Sequence, residues 1–184
     1  MTAGKRGALR WLPTFFGFPL GGVLSHLVAG PVDGVGPALL GGAMSGVVLG
    51  AVQALGLGAN GPSAGRWTIA TGVGFTAGLT AGAAAVDYGT ELGDLVVQGA
   101  VCGLAVGAAQ AVVLHDRIGR AALLWAPGLS GLWALGWAIT TWAGIDVDKR
   151  WTVFGSSGAI AVTVATMVLP ALLASRSRPR RRAS

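Results

Sequence analysis

Six polar side chains stand out against a chain that is otherwise almost wholly apolar. They are Gln53, Gln110, His26, Asp33, Asp87 and Asp146. Gln53 and Gln110 each lie on the same helical face as a run of glycines, near the end of an apolar stretch. An amide there must point at a neighbouring helix or into a wet vestibule, because hydrocarbon cannot satisfy it. His26, in Leu24-Ser25-His26-Leu27, is the one ionisable group well inside an apolar run. Such groups are functional candidates by default, although His26 is close enough to the end of its run to reach interfacial water. Asp33, Asp87 and Asp146 recur ahead of helices. There they either complement a helix dipole or form an external acidic ring that gathers cations. His115 stands at a helix end beside Asp116, as a solvated residue would.

These groups define no catalytic pattern. The sequence has no H-E-x-x-H, no G-x-S-x-G, no Walker loop and no D-D-x-x-D cluster. Gly56-Leu57-Gly58-Ala59-Asn60-Gly61 has the spacing G-x-G-x-x-G, but no strand precedes it and it reads as a turn. Cys102 is alone, so it can form neither an intrachain disulfide nor a zinc knuckle, and no metal or cofactor is expected.

The elements that must hold these side chains follow from composition. Of 184 residues, 53% are hydrophobic, 32 more are glycine and only 11% are charged. A soluble domain carries roughly 25% charged residues, and a small one cannot cover its surface with so few. Disorder and collagen are excluded as well, the first by apolar content and the second by the lack of a Gly-X-Y period. An integral membrane protein is left. Uncharged runs cover 11–32, 34–65, 67–86, 95–115, 121–145 and 151–175. Each is long enough for one crossing of about 20 residues. The runs are too long and too poorly alternating for barrel strands. The sequence therefore predicts an all-α bundle of six transmembrane helices at about 11–29, 36–56, 67–86, 94–115, 121–143 and 151–174.

Charge gives the direction. With six crossings, Lys5, Arg6, Arg10, Arg66, Arg117, Arg120, Arg176, Arg178, Arg180, Arg181 and Arg182 share one side, and only Lys149 and Arg150 face the other. All the acids except Asp116 fall opposite the basic side. The positive-inside rule places both termini in the cytoplasm of a bacterial-type plasma membrane. Residues 1–10 are then a basic cytoplasmic N-terminus and 175–184 a basic tail. The tail suits anionic lipid better than nucleic acid, because no aromatic platform accompanies it. Lys5, Arg6 and Arg10 before an apolar run that ends in Leu27-Val28-Ala29-Gly30 loosely fit a signal peptide, but the repeat described next argues against cleavage.

The chain repeats itself about every 57 residues. Arg10-Trp11, Arg66-Trp67 and Trp125 open three units at about 10–57, 66–114 and 121–174. Val32-Asp33, Val86-Asp87 and Ile145-Asp146 mark their external turns. Gln53 and Gln110 close the first two, whereas the third has no matching glutamine. Each unit is a hairpin of even span number, so the three are parallel and suggest an approximately threefold bundle. Gly42, Gly46 and Gly50, then Gly74, Gly78 and Gly82, then Gly99, Gly103 and Gly107 form small-residue stripes for close helix packing. Leu114 lies near a cytoplasmic helix end, where truncation is expected to matter less than bulk added at Gly107.

Three functions fit this reading. A small channel or permease for an ion or small solute comes first. A structural or partner-binding membrane subunit, paired with itself or another membrane protein, is the alternative. A membrane-embedded enzyme is the third.

Overall fold

A computed structural model describes residues 3–176. Among these the chain is mostly helical and has no strand. The helices are α1 (Ala3–Trp11), α2 (Gly17–Ala29), α3 (Val35–Leu57), α4 (Ala64–Ala85), α5 (Leu92–Ile118), α6 (Trp125–Trp142), α7 (Ser156–Ala165) and α8 (Val168–Arg176). Short 3-10 turns at Leu12–Phe16, Gly58–Asn60 and Gly119–Leu124 join some of them. Five continuous helical stretches are long and apolar enough to cross a membrane: Gly4–Ala29, Val35–Asn60, Ala64–Ala85, Leu92–Trp142 and Ser156–Arg176. Large apolar side chains face outward on them, such as Leu27, Leu55 and Val112. These are the dimensions and surface of an integral membrane protein.

The stretch Leu92–Trp142 spans 51 residues but doubles back on itself. Gly119, at φ 60°, ends α5 and gives its N–H to His115 O, a conformation costly for any residue with a Cβ. α6 then returns along α5. A Cβ at Gly99 would meet Trp133, one at Gly103 would meet Leu129, and one at Gly107 would lie 2.6 Å from Ala126 Cα. The falling partner numbers mark the pair as antiparallel. The other stripes do the same work. Gly42, Gly46 and Gly50 approach Thr76, Gly72 and Thr68 of α4, and Gly74, Gly78 and Gly82 approach Val106, Cys102 and Gln98 of α5. Without a hydrophobic drive between helices in lipid, such backbone contact is what dispersion and packing require. Gly21 against Ser45 couples α2 to α3, and Gly7 against Pro170 brings α8 back to α1. The bundle is closed.

Two expectations need correction. The last stretch does not run as one helix over 151–174. Residues 151–155 lie outside any helix, α7 begins at Ser156, and a break at 166–167 separates it from α8. Thr152, Val153 and Phe154 are nevertheless buried, so this segment is inserted into the bundle. Leu114 is fully buried, packed with Trp11, Trp67 and Leu169 in the core at the Trp11 end of the bundle, so a position near the helix end is not a peripheral one.

Candidate functional site

Three indoles build the polar layer at one end of the bundle. Trp67 Nε1 donates to Gln53 Oε1 at 3.2 Å, and Trp125 Nε1 donates to Gln110 Oε1 at 2.7 Å. Trp11 Nε1 donates to Thr166 Oγ1 at 3.0 Å. Each bond crosses between helices, and the third ties the start of the chain to its last helical stretch. Gln110 Nε2 reaches both Thr71 Oγ1 at 2.9 Å and Gln53 Oε1 at 3.4 Å, so the two amides meet directly. The Thr71 hydroxyl in turn donates to Trp67 O at 2.9 Å. Gln110 is 1% exposed, Trp11 1% and Trp67 0%, whereas Gln53 is half-buried. Every polar atom of Gln110 that the low-dielectric interior would penalise has a partner.

At the opposite end, hydroxyls hold the inserted segment. Thr152 Oγ1 lies 2.8 Å from Ser25 Oγ and 2.7 Å from Ser45 Oγ. Gly22 O lies 3.0 Å from Ser25 Oγ and Gly21 O 3.2 Å from Ser45 Oγ, so three hydroxyl protons are shared among four contacts. All three side chains are buried. Val32 N–H bonds Arg150 O at 2.9 Å, and Gly155 N–H bonds Thr140 Oγ1 at 3.0 Å, which fixes both ends of the segment. Non-helical backbone at this depth persists only when enclosed by protein, and α2, α3 and α6 enclose it.

The segment delivers Phe154 to the middle of the bundle. Trp133 of α6 contacts Phe154 edge-on at 5.6 Å between ring centroids, Phe75 of α4 at 5.1 Å and Phe18 of α2 at 6.2 Å. Phe18 and Phe154 are 4.9 Å apart. All four are buried, so rings from α2, α4, α6 and the inserted segment fill the core. Tilted and edge-to-face pairs add about 0.5–1.5 kcal/mol each beyond area burial.

The remaining candidates are scattered. His26 stacks on Trp151 with centroids 4.4 Å apart, and its buried Nδ1 has no partner among the described residues. Asp33 precedes α3 closely, but Asp87 and Asp146 do not sit at helix starts as expected. Asp87 occupies a turn at φ 49°, and Glu91 with Asp94 form the capping box of α5. Asp146 stands ten positions before α7, accepts Asp148 N–H at 3.1 Å and pairs with Lys149 at 3.7 Å. A cavity of about 200 Å³ opens beside it, walled by Pro19 and Gly22 of α2, Trp137 of α6, and Phe154. Arg178 and Arg180–Arg182 of the tail lie outside the described residues.

Sequence reasoning missed the donors and the third acceptor. The spacing Trp11, Trp67, Trp125 was visible, as was Thr166 at 56 positions after Gln110, but a hydroxyl does not look like an amide in a residue-by-residue match. The hydroxyl trio carried no signal, because Ser25, Ser45 and Thr152 are remote in sequence. The arrangement is that of a closed helical membrane bundle with a polar layer at one end and an aromatic centre. The chain matches no protein-family profile, no curated protein and no solved structure.

Proposed function

We propose that the chain is a six-crossing membrane protein of three parallel hairpins, with both termini cytoplasmic, that serves as a structural or partner-binding subunit of the membrane. The aromatic centre carries this reading. Phe18, Phe75, Trp133 and Phe154 occupy the region that a pore through the bundle would need. The three indole bonds support the hairpin repeat. Each opening tryptophan engages the closing helix of the preceding unit, with Trp11 and Thr166 completing the cycle. The doubling back of Leu92–Trp142 supports six crossings, and the basic residues of one face support the orientation. Basic residues of the tail then meet anionic lipid, and the outer apolar faces meet lipid, a second copy or another membrane protein.

Reconstitution tests this reading. Vesicles of defined lipid loaded with potassium or glycerol should leak no faster with the protein than without it. Stimulated flux would instead favour permeation. One observation speaks for that second reading: the inserted segment borders the cavity beside Asp146, and broken helices border substrate sites in transporters. In that case Phe154 is the gate, and Phe154→Ala should raise the flux.

A further inference from the structure

We propose a binding site for the phosphate headgroup of an anionic glycerophospholipid where α1 meets the ends of α3 and α8. A cavity of about 230 Å³ lies there, lined by Arg6, Arg10, Asn60 and Pro170 among others. Arg6 and Arg10 are one helical turn apart on α1, so their guanidinium groups share a face and repel unless an anion lies between them. Neither has a carboxylate within ion-pair range among the described residues. Asp116, the one acid on this side, is held by Arg66 at 2.9 Å.

The site is built before any ligand arrives. Arg10 Nη2 donates to Leu55 O at 3.1 Å and so caps the last turn of α3. Its guanidinium lies against Gly58, where φ is 57° and any side chain would displace it. Trp11, the next residue, is locked to Thr166, which fixes the rotation of α1. One Arg10 donor is spent on Leu55, and four remain for a phosphate, with those of Arg6 and the Asn60 amide beside them. The neighbouring surface selects the source of the anion. Leu9 is 52% exposed and Leu55 76%, so apolar side chains border the arginines. A soluble phosphate would leave them unused, whereas the acyl chains of a lipid would cover them.

This site rests on the reading that the Arg10 end of the bundle lies at a headgroup layer, but its test needs no membrane orientation. The full chain in a neutral detergent is titrated with dioleoylphosphatidylglycerol, dioleoylphosphatidylcholine or soluble glycerol phosphate, and its unfolding temperature is followed. Phosphatidylglycerol should raise that temperature saturably, and the other two should not. Arg6→Gln, which breaks no hydrogen bond seen in the structure, should weaken the apparent affinity about fivefold, as expected for one surface arginine. Arg6→Lys should retain most of it. Replacing Arg180, Arg181 and Arg182 by Gln should leave the saturable shift in place. An equal shift from phosphatidylcholine, an equal shift from glycerol phosphate, or an unchanged affinity in Arg6→Gln would each overturn the site. Failure of the six-crossing reading would appear separately, in cysteine accessibility.

Discussion

Gly107→Ala adds one methyl group at the closest approach of two helices. The new Cβ would lie 2.6 Å from Ala126 Cα and 3.1 Å from Trp125 O. Both are backbone atoms, so no side chain can rotate away. Ordinary contact needs roughly 3.5–4.0 Å, so α5 and α6 must part by about 1 Å at this level. Overpacking of this kind costs about 1–3 kcal/mol. The same shift pulls Trp125 from Gln110, whose bond is 2.7 Å long and sits one turn further along α5. An interhelical bond of that type contributes about 0.6–2 kcal/mol. Alanine's better helix propensity returns up to about 1 kcal/mol. The expected net loss is about 1–4 kcal/mol. Gly131→Ala is the control, since a Cβ there meets nothing within 4 Å, and it should be neutral or stabilising by up to about 1 kcal/mol. Reversible unfolding in mixed micelles measures both. The reasoning fails if Gly107→Ala is as stable as Gly131→Ala. It fails in part if Gly107→Ala and Trp125→Phe are additive, because the two are expected to share the Trp125–Gln110 bond.

Gln110→Leu should cost about 1–3 kcal/mol and blue-shift tryptophan emission, because it strands the Trp125 N–H and replaces an amide with an alkyl chain; Gln53→Leu strands the N–H of fully buried Trp67 and should cost a similar amount in the same unfolding assay. Thr152→Val keeps the volume but removes the hydroxyl shared by Ser25 and Ser45, and a loss of about 1–3 kcal/mol is expected; an unchanged unfolding midpoint would mean the inserted segment is held by packing alone. In a Cys102→Ala background, a cysteine at Asp33 should react with an impermeant maleimide added to intact cells, and one at Gly65 should react only after permeabilisation; the reverse pattern would reject the proposed orientation.

Much of the helical architecture was legible because it depends on local quantities. Apolar run length places α3, α4 and α5 within a few residues of where they occur. Glycine spacing is a local quantity of the same kind, since a period of four on a helix is one stripe whatever lies opposite. The last unit defeated the same reasoning. Residues 151–155 are uncharged and apolar enough to read as helix, yet they lie outside any helix. The reason is long-range: Ser25, Ser45 and Thr140 supply hydrogen bonds, and Phe18 and Trp133 supply a pocket for Phe154, from three other helices. No window on the sequence contains those partners. The acidic residues show a related limit. Asp33, Asp87 and Asp146 look alike in the sequence, but the turns that follow them differ in length and backbone geometry, and Glu91, not Asp87, caps its helix.

What the sequence determined by itself is the solvent. Few charges and long apolar runs admit hydrocarbon and little else, because burial of the backbone then demands helices. It also held the recurrence of Trp11, Trp67 and Trp125, though not the identity of their acceptors. Only the tertiary structure decided that Thr166 stands beside Trp11 where Gln53 and Gln110 serve the other two, and that the centre of the bundle is filled by rings. Hydrogen-bond partners and core occupants are chosen by proximity in three dimensions. Trp11 and Thr166 are separated by 155 positions along the chain and by one hydrogen bond in space.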